Sequence, residues 1–364
     1  MNTYAAAGLI YGPHPHHLDH LAVLCIFLDI PLIVTEPEIE KQASRYYPQL
    51  VTFCMDSLGL AEQVVRSYQV IFSSLPKDLF DQIFFVAENL LKKKLLNIWV
   101  PHGNSDKGHA SYFMEGLQKE KIALVYGQKM VDFFIEKKVY SQLYAAIVLG
   151  NYRYTFYQEH KAFYDQLVQN EILKKLPQAK KTVLYAPTWD DAEQSSSLKD
   201  AWSHLLKGLP DNWNLLLKLH PNQLQKPHEV EKVLHEAEGK NNVHIIQEFP
   251  PIYPLLNAVD IYLGDMSSVG YDFLTFKKPM FFLNQNKRDL KNDQGLFLFR
   301  CGVSIDPEDY SSIFSLMQED QSRFQKIQEE VYSYVFGDER KKEEIKHQIT
   351  STYERYLEDE LHIF

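Results

Sequence analysis

The chain has 364 residues, 45% of them hydrophobic and 24% charged, which suits two globular domains and excludes a disordered chain. Its formal net charge of −10 excludes a general nucleic-acid binder, which needs excess cations to displace counterions. It leaves room for a nucleotide in a locally positive pocket. Cys25, Cys54 and Cys301 stand singly in apolar surroundings, without CxxC spacing, and predict reduced packing residues of a cytoplasmic protein. The start lacks the basic region of a signal peptide, and the longest apolar stretch is broken by Asp19, His20, Asp29 and Pro31, so it does not span a bilayer.

Along the chain, short apolar runs alternate with amphipathic segments, as in a parallel sheet with crossover helices. Strands are predicted over 5–11, 32–35, 50–53, 70–72, 96–100, 122–126 and 146–149, with helices over 17–28, 77–93 and 128–138. Residues 152–176 read as a polar-aromatic helical stretch running into a basic linker end. A second series has strands over 182–186, 214–219, 243–246, 259–263 and 279–283, and helices near 198–207, 228–238, 252–257 and 269–276. From 307 onward the chain reads as charged helix. The expected division is an N-terminal domain over 1–155, a linker over 156–180, a C-terminal domain over 181–335 and a helix over 336–364. The fold class expected is α/β and GT-B-like: two Rossmann-like domains facing a central cleft, with C-terminal helices.

Ligands of open α/β sheets sit beyond the carboxyl ends of strands, so the residues there carry the functional argument. The run Trp99-Val100-Pro101-His102-Gly103-Asn104-Ser105-Asp106-Lys107 takes a strand into a His-Gly step and a lysine. Glycine permits close backbone approach or positive φ, and a strand-end histidine can act as a base near neutral pH. Ala186-Pro187-Thr188-Trp189-Asp190 ends a second strand with a proline, a hydroxyl, an aromatic ring and an acid. Alternation puts Lys218 and His220 on one face of a third strand, where both can meet phosphate oxygens, and Pro221 stops it. A fourth strand ends at Gly264-Asp265, followed by Ser267 and Ser268 as N-cap candidates and by Asp272. A helix start with free N–H groups and two hydroxyls is a ready anion site.

In order and spacing, His102-Gly103, Ala186-Pro187-Thr188-Trp189, His220-Pro221 and Ser267-Ser268 with Asp272 resemble the CDP-glycerol glycerophosphotransferases, the teichoic-acid primases and polymerases. The resemblance covers roughly residues 95–285. It implies transfer of a polyol phosphate from a CDP-activated donor to an acceptor hydroxyl, with release of CMP. In this reading His102 is the base and His220 contacts the pyrophosphate. Ser267 and Ser268 bind phosphate; Asp272 holds ribose or glycerol hydroxyls, or orients the serine loop. Gly103, Lys107, Pro187, Thr188, Lys218 and Asp265 complete the expected substrate contacts. The chain departs from the family pattern after Gly103, with Asn104-Ser105-Asp106, and after Trp189, with Asp190-Asp191. Both changes place acid where phosphate is expected.

No cofactor or metal is expected. His14, His16, His17 and His20 cluster in sequence, and His16 with His20 has a chelating i,i+4 spacing, yet they read as a polar rim on the acceptor side. The run Lys92-Lys93-Lys94 beside leucines points to a peripheral position at the inner membrane face with a lipid-linked acceptor. The sequence leaves the oligomeric state open. The alternatives are a GT-B glycosyltransferase using a nucleotide sugar, a non-hydrolysing sugar-nucleotide epimerase, and a non-catalytic member that binds a nucleotide or a partner.

Overall fold

The computed structural model describes residues 4–107, 114–190 and 195–361. The chain forms two compact units, each around its own parallel sheet. The first holds Met1–His102, Ser111–Phe156 and Tyr334–Phe364; the second holds Gly103–Ala110 and Tyr157–Ser333.

In the first unit the strands are β1 (Ala6–Ile10), β2 (Leu32–Val34), β3 (Thr52–Cys54), β4 (Val70–Ser73), β5 (Leu96–Trp99), β6 (Ile122–Val125) and β7 (Ala145–Val148). They pair in the order β3-β2-β1-β4-β5-β6-β7, every pairing parallel. The doubly wound order follows from strand alternation. Ala7 and Leu9 pack with Leu60, Val64, Phe80 and Phe84 of the helices Ser57–Ser67 and Lys77–Leu91. On the other face Gly8 lies so close to the helix Leu18–Leu28 that a Cβ there would meet Cys25 Sγ at 2.4 Å. That helix is buried nearly throughout, Asp19 and His20 included. A charge so placed needs a partner. Asp19 accepts hydrogen bonds from Arg153 and from the Tyr47 hydroxyl, each at 2.7 Å. The C-terminal helix Lys342–Leu361 joins this unit with Ile345, Ile349 and Tyr353 buried.

The strands of the second unit are β8 (Lys181–Ala186), β9 (Trp213–Lys218), β10 (Val243–Ile246), β11 (Ile261–Gly264), β12 (Met280–Leu283) and β13 (Val303–Ile305). Their order is β10-β9-β8-β11-β12-β13, all parallel, so the direction of winding reverses between β8 and β11. Val183, Tyr185, Leu215, Leu217, Leu219, Leu263 and Phe281 share one core with Trp202 and Leu205 of the helix Leu198–Gly208.

The expected GT-B-like α/β class therefore holds as two Rossmann-like sheets. Several details differ from expectation. The helical stretch expected over 152–176 comes as two helices, Tyr152–Glu159 and Lys161–Glu171, broken at His160, and from Tyr157 the chain lies in the second unit. Strand β13 went unpredicted because it has three residues with a serine in the middle; it is stabilised by pairing with β12. Cys54 is exposed on edge strand β3, so only Cys25 and Cys301 are buried packing residues.

Candidate functional site

The second unit gathers expected residues at its β8–β11 switch point. Asp265 follows β11, and its buried carboxylate accepts from the Thr188 amide at 2.8 Å and from the Ser197 amide and hydroxyl at 2.9 and 2.8 Å. Burial pushes its pKa up to about 6, against the downward pull of those hydrogen bonds and of the Lys107 charge. Asp265 thus ties together the segments that follow β8 and β11, and it is a positioning group more than a ligand contact. Lys107 donates to the Thr188 hydroxyl, which sets a cation beside the Pro187-Thr188 step.

Residues 103–107 belong to this unit, and Gly103 shows why glycine is needed there. Its φ is +134°, and an added Cβ would meet Ser268 Cβ and Oγ at 3.0 Å. Ser268 takes the N-cap position of the short helix Val269–Phe273 without a side-chain capping bond. The first helical bonds run from Gly270 and Tyr271 to the carbonyls of Ser267 and Ser268 at 3.2 and 3.1 Å. Amides ahead of those two have no intrahelical acceptor, and anions are favoured at a helix start. Asp272 accepts from the Tyr253 hydroxyl at 3.0 Å, an anchoring role that fits orientation of the serine loop.

His220 caps the helix Pro221–Leu224: its Nδ1 accepts from the Asn222 amide at 3.1 Å. A neutral imidazole that accepts at Nδ1 carries its proton on Nε2, so His220 is built to donate there. Its ring lies 6.3 Å from that of Trp189. Lys218 Nζ donates to the Phe249 carbonyl at 3.3 Å, which ties β9 to the loop after β10.

Two of the acidic departures have structural partners. Asp106 is buried and accepts from the Tyr271 hydroxyl and, at 3.0 Å, from the Leu298 amide. Asp190 pairs with Lys199 at 2.8 Å and approaches Lys226 at 4.0 Å. Asp191 lies outside the described residues.

In the first unit, β1 and β5 bring histidines together at their carboxyl ends. The ring of His102 lies 4.7 Å from that of His17 and 5.5 Å from that of His16, and the His16 and His17 rings are 4.3 Å apart. Burial, with the His14 ring adding to it, pushes the pKa of His102 down to about 4; His17 is lowered well below the usual range, chiefly by burial. His20 stands apart from this group: its Nδ1 is 2.5 Å from the Tyr126 hydroxyl. His17, Asp19 and His20 are therefore interior groups, and the expected exposed rim is limited to the half-buried His14 and His16.

Sequence reasoning missed Ser197, Tyr253 and Arg288. Arg288 forms a two-pronged ion pair with Asp293, at 2.6 and 2.9 Å, and donates to Met266 Sδ at 2.7 Å beside the serine loop. The Ser195-Ser196-Ser197 run before an apolar helix was a readable signal for Ser197, since serines favour helix starts. Tyr253 lies on the helix Ile252–Ala258 and Arg288 in the loop after β12, and no local pattern marks either as part of a site.

Comparison with known proteins bears on the same regions. Residues 125–299 match the family described as CDP-Glycerol:Poly(glycerophosphate) glycerophosphotransferase. A teichoic acid glycerol-phosphate primase of Bacillus spizizenii is 29% identical over 141 residues, 37% of this chain and 34% of the primase. A teichoic acid poly(glycerol phosphate) polymerase of Staphylococcus epidermidis is 30% identical over 113 residues, 29% of this chain and 15% of that protein. The matched stretches thus span about a third or less of these relatives. The structure of the wall teichoic acid polymerase TagF has a TM-score of 0.66 at 16% identity, covering 98% of this chain and 90% of that one. MnaA of S. aureus, solved with UDP, has a TM-score of 0.63 at 12% identity, covering 97% of each chain. The chain is thus similar to the CDP-glycerol glycerophosphotransferase family through residues 125–299, a little under half its length, and its fold is shared with a teichoic acid polymerase.

Proposed function

We propose that the chain transfers a glycerol-phosphate or similar polyol-phosphate unit from a CDP-activated donor to an acceptor hydroxyl in cell-envelope polymer synthesis, releasing CMP. The observation that carries this reading is the switch-point arrangement in the second unit: Lys107 on Thr188, the Asp265 tie, and the helix start at Ser267 and Ser268 without a side-chain cap. Such a place suits a pyrophosphate, which asks for N–H and O–H donors and a cation. His220 Nε2–H adds a donor for a phosphate oxygen. His102, neutral in the free chain, is the proposed base that takes the acceptor proton as its oxygen attacks the β-phosphorus. The leaving CMP phosphate departs in line, and catalysis consists of positioning and charge neutralisation.

Thermal-shift titration tests the donor class. CMP and CDP-glycerol are expected to raise the melting temperature, and UDP-sugars are not. A response to UDP-sugars alone would establish the nucleotide-sugar alternative, and none to any nucleotide a non-catalytic member. His102→Ala is expected to lose transfer while keeping the CDP-glycerol shift; turnover retained in that variant removes the base assignment.

No helix among the described residues is long and apolar enough to cross a membrane. The helix Lys77–Leu91 leaves Leu79, Phe85, Val86 and Leu90 exposed, and Lys92, Lys93 and Lys94 follow it. This face supports a peripheral position on an anionic membrane, where a lipid-linked acceptor would be met.

A further inference from the structure

We propose that His16, His17 and His102 form a three-imidazole binding site for a divalent transition-metal ion of the zinc class. All three belong to the first unit, and each offers one ring nitrogen within 4.8 Å of the other two. Two elements hold them: the turn Pro15–His17 after β1 and the segment after β5. Strands β1 and β5, with only β4 between them in the sheet, thus bring residues far apart in sequence to one place, with three borderline-soft ligands and no carboxylate among them. In a tetrahedral zinc site with bonds of about 2.0–2.1 Å, ligand nitrogens stand about 3.4 Å apart. Ring rotation of half-buried His16 and His102 can close the remaining gap. The Nδ1 of His102 is buried and has no hydrogen-bond partner among the described residues, so its lone pair or proton is uncommitted. His14 stacks on His17 at 5.3 Å between centroids and stands next in line as a fourth ligand. The pair singled out by i,i+4 spacing, His16 with His20, is not the set, since His20 faces Tyr126.

The site rests on imidazole geometry alone; only its consequence for turnover rests on the transfer reading, because His102 belongs to both. A metal on His102 takes the lone pair that a base needs, so Zn2+ is expected to inhibit transfer and a chelator to restore it.

The test is Co2+ titration of the chelator-stripped full chain, followed by visible absorption, with Zn2+ displacement and equilibrium dialysis. Expected are the d–d bands of low-coordinate cobalt, one ion per chain, and loss of affinity by about 100-fold in His16→Gln, at the upper end of what loss of even an outer partner causes. His235→Gln, at an exposed position, is expected to bind like the parent chain. His17 is buried, so His17→Gln is read only where its melting temperature matches the parent. Absence of cobalt bands in the parent chain, or binding by His16→Gln equal to the parent's, overturns the site. These measurements need no nucleotide, so they stand or fall separately from the CDP-glycerol shift.

Discussion

His102 shows how one residue's surroundings set its chemistry. Burial, with the neighbouring His14 ring, disfavours its cation and lowers its pKa to about 4, so the neutral base form persists well below the usual histidine range of about 6.5. If His102 is the base, the acid limb of kcat/KM falls toward pH 4, because that limb reports the free enzyme. A midpoint near an ordinary histidine pKa would contradict the assignment. So low a pKa makes a weak base, and a bound anionic donor would raise it toward the working range. The acidic departures tell the complementary story. Asp106 and Asp190 look from sequence like charges facing phosphate, yet the first is taken up by Tyr271 and the Leu298 amide and the second by Lys199.

At the scale of elements, the β8–β11 switch point depends on Asp265, whose hydrogen bonds reach the segments after β8. Asp265→Asn replaces an acceptor oxygen by an NH2 facing donors and is expected to cost about 1–3 kcal/mol in unfolding free energy, with weaker nucleotide binding. The sign of its pH dependence follows from the raised pKa. The folded chain holds this proton up to about pH 6, the unfolded chain only to about 3.8, so ionisation lowers parent stability as pH rises between those values. The asparagine variant lacks that loss. Its deficit relative to the parent should narrow across this window, by up to about 3 kcal/mol at 1.36 kcal/mol per unit. A deficit that stays constant or widens from pH 4 to 6.5 would show that the Asp265 pKa is not raised. Denaturant midpoints across that range measure it.

At the scale of the whole molecule, the exposed stripe Leu79, Val86 and Leu90 predicts co-sedimentation with anionic vesicles, weakened by Leu90→Glu or by high salt and absent with neutral vesicles. Lys94 is paired with Glu88 and Lys93 donates to the Arg66 carbonyl, so the apolar residues should contribute more than the lysine run. Equal binding by Leu90→Glu would remove this face from consideration. The sequence by itself determined the two βα series, because a strand buried on both faces must be apolar throughout and its crossover helix amphipathic. It also determined which candidate residues follow strands, because chain direction puts His102, Thr188, His220 and Ser267 just beyond strand ends. What only the tertiary structure decided is which of those groups meet. Strand order juxtaposes β1 with β5's neighbour and β8 with β11, across gaps of tens of residues that no local pattern encodes. Hence the His16, His17 and His102 cluster, the Asp265 tie to Ser197 and the burial of Asp106 are absent from any sequence window. Each is a contact made by packing, and burial then sets the charge state that the isolated residue would not have.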